Sequence, residues 1–252
     1  METVMKFPLL VFALSLVVLS FSAWIGVLFR KRRRNLEEGE REDFGVVQAA
    51  ILTLLALLIG FTFSMAVSRY DQRKNYEEAE ANAIGTEYVR AELLPAADAA
   101  KVRDLLRNYL DQRVLFYTTR DERELDRINA STAQLQIDLW STVRVPAAAS
   151  PTPVIALAVS GMNDVLNSQG YAQFACWNRI PVAAWCLMAA IAIFCNLLLG
   201  LGARRMSRLF IVVLPLAVSI SFFLIADIDS PRRGLIRVPP QNLVSLSQSL
   251  PS

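Results

Sequence analysis

The sequence predicts an all-α integral membrane protein: four transmembrane helices, with a helical extramembrane domain between spans two and three. Three observations carry that class. Four stretches, Phe7–Phe29, Val46–Ser68, Pro181–Leu201 and Leu209–Ala226, hold no charged residue over 18 to 23 positions each. About 20 helical residues cross a hydrocarbon core of roughly 30 Å. None of the four carries the polar stripe that a soluble core helix of that length shows. Between the second and third stretches lie charged, helically patterned residues, and nothing in the chain reads as strand.

Span one is followed, not preceded, by a basic cluster, RKRRR at 30–34. A secretory signal has the opposite order, with a basic start and a short apolar core. The run therefore reads as an anchor whose carboxyl-terminal end faces the cytoplasm, joined to span two by the short basic loop 30–45. These elements make up the first segment, 1–68.

Span two carries Gly60, Ser64 and Ser68 on one helical face, a small-xxx-small ladder that lets membrane helices approach closely. Thr53 lies on roughly the same face two turns earlier. The ladder admits three readings: packing within the chain, an oligomer contact, or the lining of a pore. If it lines a pore, Ile59, Phe61, Thr62 and Phe63 are candidates for a hydrophobic constriction that gates by dewetting.

No proline occurs between Val46 and Leu94, and Pro95 ends the run. A single helix of that extent is on the order of 70 Å long and stands well clear of the bilayer. Beyond the membrane it becomes amphipathic, with Tyr76, Ala79, Ala83, Tyr88, Ala91 and Leu94 recurring among Glu77, Glu78, Glu80, Glu87 and Arg90. This opens the helical domain 69–180. A second helix places Val102, Leu105, Leu106, Tyr109 and Leu110 on one face. A third starts at Asp121, whose spacing to Glu124 suits a capping box, with Leu125, Ile128, Leu135 and Leu139 along its seam. PAAASPTP at 146–153 reads as a loop or hinge. Val154–Asn167 is too short to span and reads as a domain helix. Tyr171, Phe174, Trp177 and Trp185 then crowd the approach to span three, as an interfacial aromatic belt does.

Spans three and four occupy 181–226, and an interfacial, polar tail occupies 227–252. Parity puts the end of span two, the start of span three and the end of span four at one membrane face. Arg69, Arg73, Arg179, Asp227, Asp229, Arg232 and Arg233 therefore share one interfacial layer. A carboxylate at a helix carboxyl end faces the negative end of the macrodipole and needs a cation nearby. Three readings stand: solvated acids, an ion-pair network joining span four to spans two and three, or an ion or substrate site.

Several function classes fall away. With no histidine in the chain, histidine-based triads, HExxH zinc sites and imidazole relays are excluded. The three cysteines form no CxxC and read as small buried hydrophobes. No GxxxxGK[ST] or GxGxxG occurs, so no nucleotide and no other cofactor is expected. Residues 69–180 hold 13 basic and 15 acidic side chains, which is no footprint for nucleic acid. An enzyme would have to rest on Asp227 and Asp229 or on Asp71 and Glu78, and no nucleophile–base pair is visible. The expected partners are the lipid bilayer and further copies of the chain.

Sidedness follows from charge. The short loops 30–45 and 203–208 and their flanks hold nine basic residues, against eight near the opposite span ends. The nine are denser and lie against the membrane, which favours cytoplasmic short loops in the inner (plasma) membrane.

GFTFSMAVSRYDQRKNYEEAEANAIGTEYVRAELLP at 60–95 and IADIDSPRRGLIRVPPQ at 225–241 resemble a bacterial membrane family described as bestrophin-like, and the likeness covers essentially the whole chain. The order SRY-D-x-R, an acidic pair and Gly85 is similar to the bestrophin signature in which the second span leaves the membrane. Tyr70 and Arg73 take its tyrosine and arginine positions, and its tryptophans are absent. The resemblance implies a pentameric anion channel with span two lining the pore, inorganic anions as the permeating species, and a cytoplasmic central domain, the reverse of the charge count. From the residues themselves two function classes stand: an oligomeric ion channel, or a non-conducting scaffold or sensor whose helical domain passes a signal. The second is motivated by the lack of any charge deep in a span, where transporters usually keep one.

Overall fold

The computed structural model describes residues 7–32, 38–202 and 208–251. Among them there is no strand. The helices are α1 (Pro8–Arg32), α2 (Glu38–Arg90), α3 (Ala96–Thr118), α4 (Glu122–Ala149), α5 (Pro153–Trp177), α6 (Val182–Gly202), α7 (Arg208–Asp229) and α8 (Gln241–Ser249). Among the described residues four segments are long and apolar enough to cross a membrane: Pro8–Phe29, Phe44–Leu93, Pro153–Gly202 and Val212–Asp229. The protein is an all-α membrane protein with four spans. Loop residues 33–37 and 203–207, on which much of the sidedness argument rests, lie outside the described residues.

The chain divides into two compact units: Met1–Arg69 with Arg179–Arg237, and Tyr70–Asn178 with Val238–Ser252. Residues 227–237 thus belong with the spans. Residues 238–252, read from the sequence as polar tail, contain a helix whose Leu243 is fully buried in the second unit.

In the first unit α1 lies against α6 and α7. Ser22 donates to the Ile193 carbonyl at 2.7 Å. One turn on, Gly26 meets Gly200 so closely that a Cβ on either would overlap the other helix's backbone. The close approach that small residues permit is therefore made here, between spans one and three. Phe12 meets Phe223 edge-on at 6.2 Å, and Trp185 meets Phe222 at 6.0 Å.

The second unit is built around the outer part of α2. That helix is 53 residues long, about 80 Å at 1.5 Å per residue, and unbroken through 68–80. A short 3-10 turn, Ala91–Leu93, and Pro95 end it. The Asp121 side chain caps α4 by accepting the Arg123 N–H at 2.9 Å, and Thr152 caps α5 by accepting the Ile155 N–H. Segment 146–153 is not a loop: Pro146 sits in the last turn of α4, and only Ser150–Thr152 is irregular. A proline there removes a single amide, and its own carbonyl still accepts the Ser150 N–H. Ile84, Val102, Leu106, Tyr109, Leu139, Met162, Val165 and Leu243 form the core. Each such side chain is worth about 1.5–3 kcal/mol relative to exposure.

Candidate functional site

Span two has two dissimilar faces. Thr53, Gly60, Ser64 and Ser68 are all exposed, and a Cβ on Gly60 would meet nothing within 4 Å. The ladder therefore does not pack against the other helices of its own unit. The buried positions are Leu55, Thr62 and Ala66. At about 100° per residue Thr62 points away from Gly60, and its hydroxyl returns to the Leu58 carbonyl at 2.7 Å. The four candidate constriction residues are accordingly split. Thr62 is turned inward, Ile59 is half-buried, and only Phe61 and Phe63 are exposed, one on each side of the ladder.

Beyond the membrane the buried side of α2 is charged. Arg73, Glu77, Glu80, Ile84, Glu87 and Ala91 are all buried, at alternating steps of four and three. That is the spacing of one helical stripe. Of the acids Glu77, Glu78, Glu80 and Glu87, all but Glu78 are inside. Each meets something different. Glu77 Oε1 accepts the N–H groups of Asn242 and Leu243, both at 3.0 Å, and Oε2 accepts Asn242 Nδ2 at 2.7 Å. The first turn of α8 thereby receives the anion that its exposed amides and dipole favour. Glu80 pairs with Arg113 Nε and accepts from Tyr117 Oη at 3.2 Å. The Arg113 guanidinium lies 4.2 Å from the Phe116 ring centroid. Burial, and then the Glu80 charge, push the Tyr117 hydroxyl well above its ordinary range. Glu87 faces Gly161 of α5.

The two acids of the interfacial layer meet main-chain amides. Asp227 and Asp229 are both buried at the end of α7. Asp227 Oδ1 accepts the Leu235 N–H at 2.7 Å, and Oδ2 accepts that of Ile236 at 2.8 Å. Both of these partners are main-chain amides. Gly234 makes this turn possible, since a Cβ there would overlap the Asp227 carbonyl oxygen. Both oxygens of Asp229 lie 3.2 Å from the Ile180 nitrogen, just ahead of α6. Asp229 thus ties span four to span three through an amide. Arg69, Arg179 and Arg232 are half-buried in the same unit, and Arg233 stands 4.3 Å over the Phe7 ring. Arg73 belongs to the second unit and is buried on the charged stripe.

The profile of the bestrophin-like domain matches residues 12–243. No curated protein matches the sequence. Solved structures do resemble the fold. A bacterial bestrophin homologue from Klebsiella pneumoniae has a TM-score of 0.64 at 14% identity, over 95% of this chain and 99% of that one. An isoleucine-to-alanine variant of a Klebsiella pneumoniae homologue gives 0.66 at 14%, over 94% and 96%. A leucine-to-threonine variant gives 0.64 at 13%, over 94% and 96%. With a profile match over most of its length, the chain belongs to the bestrophin-like family.

Proposed function

We propose that the protein is an oligomeric ion channel of the inner membrane, a homopentamer passing inorganic anions. The observation that carries this reading is the exposed ladder of span two. Thr53, Gly60, Ser64 and Ser68 present a small, hydroxyl-bearing, uncharged surface that other helices of the unit leave uncovered. Assembly of several copies around that face would give a conduit with hydroxyls along it and Phe61 or Phe63 at its edges as the dewetting element. Family membership supports the assembly and the anion preference. We assign the basic short loops to the cytoplasmic side on charge density. Labelling of a Glu38→Cys variant by a membrane-impermeant reagent in intact cells would show the reverse orientation.

The test is reconstitution. Purified protein in nanodiscs should weigh as a pentamer by mass photometry, and in planar bilayers it should carry current reversing toward the chloride potential. A Ser64→Cys variant should lose that current on thiol modification. A monomer under several mild conditions with no current would remove the channel reading. The alternative, a non-conducting scaffold or sensor, would then be favoured by recovery of a reproducible partner bound through residues 96–168.

A further inference from the structure

Glu77 and Glu80 each receive hydrogen-bond donors, and Glu87, on the same stripe, receives none. Its side chain is fully buried, and neither carboxyl oxygen accepts a hydrogen bond among the described residues. Opposite it is bare backbone. A Cβ on Gly161 would overlap Glu87 Oε2 and lie 2.7 Å from Arg90 Nη1. The glutamate therefore fills the volume that a side chain on α5 would need, and α5 closes directly upon it.

Two charged groups of opposite sign act on this seat. On its own helix there is Arg90, half-buried, and on α5 there is Asp164, exposed. Two cations of α3 have other partners. Arg103 donates to the Tyr88 carbonyl and Glu92, and Arg107 to the Tyr88 hydroxyl and Asp104. Burying an ionised carboxylate without partners is costly, and such a group takes up a proton instead. Burial, opposed by Arg90 and aided by Asp164, raises the Glu87 carboxyl from 4.5 to about 8.

We propose that Glu87 is a proton-binding site that fastens α5 to α2: the neutral acid lets Gly161 close on it, and release of the proton to solvent loosens that contact. The joint stands apart from the channel reading, because packing of the second unit does not depend on whether ions pass. The folded-state value lies above that of the unfolded chain, so the folded protein holds the proton more tightly. Its stabilising contribution is complete below about 4.5 and is lost as pH rises through about 8.

Thermal melting of the full chain in detergent, followed across that window together with the infrared stretch of protonated carboxyl groups, tests the proposal. The parent should show a protonated-carboxyl band at neutral pH that titrates near 8, and a melting temperature that falls as the band disappears. Glu87→Gln should lack the band and flatten the fall. Asp164 is exposed, so Asp164→Asn should fold normally and move the titration to lower pH by removing a nearby negative charge. A Glu87→Gln chain that keeps both band and slope would overturn the proposal. So would a parent with no such band at neutral pH, or an Asp164→Asn chain with an unmoved titration.

Discussion

Arg113 meets Glu80 with both side chains wholly out of water, Nε and Nη2 of the guanidinium addressing the two carboxylate oxygens. The pair joins α3 to the long helix inside an apolar core. Removing one member should cost far more than removing both, because a single deletion strands the other charge. Arg113→Met is expected to lower stability by about 3–5 kcal/mol, and adding Glu80→Leu should restore part of the loss. A double-mutant cycle on thermal melts in detergent checks this. Independent, additive losses would show that the charges do not depend on each other.

The hold of Glu77 on α8 is also charge-assisted. Glu77→Ala should remove three accepted hydrogen bonds and the anion at the helix start. A cost of about 1.5–3 kcal/mol is expected for even one such bond. The informative readout is proteolysis, with cleavage near 238–242 appearing in the variant and not in the parent.

Asp227→Asn should destabilise the spans, since an amide group can accept with one atom only while the turn presents two N–H groups, those of Leu235 and Ile236. A loss of about 1–3 kcal/mol is expected for the donor left unmet. Gly234→Ala should be at least as harmful through its overlap with the Asp227 carbonyl. Melting of each variant beside the parent decides the matter. Parental melting of both would mean that the turn carries no strain or hydrogen-bond energy of consequence.

Glycines in two spans should answer alanine in opposite ways. Gly200→Ala drives a methyl into the Ala23 carbonyl and the Gly26 backbone, and overpacking of this kind costs about 1–3 kcal/mol. Gly60→Ala places its methyl in open space and gains about 1 kcal/mol of helix propensity. The first variant should melt lower than the parent. The second should melt no lower, yet alter the current or the assembly if that face lines the conduit.

The four spans and the long second helix were legible because both depend on runs: charge absent for some twenty positions, proline absent for nearly fifty. Partner identities were not. A cation is visible as a letter, whereas the amides that meet Asp227 belong to every residue and appear only when Gly234 lets the chain turn back. Glu77, Glu80 and Glu87 suggest a solvated face by residue type alone, yet they are buried. Their step-four, step-three spacing with Ile84 and Ala91 was the available signal that they are inside. The small-residue ladder of span two drew attention from Ser22 and Gly26, an equal small-xxx-small pair in span one where helices do touch. Composition marks which residues can allow an approach, and only the fold shows which approach occurs.

The contact between Glu77 and Asn242 also orders events in time. The two residues are separated by 165 positions, and spans three and four lie between them. At about 5–20 residues per second of synthesis, Glu77 leaves the ribosome roughly ten to thirty seconds before the amides that satisfy it. The other helices of its unit, α3 to α5, are made within that interval, and spans three and four follow them before α8 can supply its amides. The unit therefore completes itself after membrane insertion, and a chain cut short before Asn242 would carry an unmet buried charge by which quality-control proteases could recognise it.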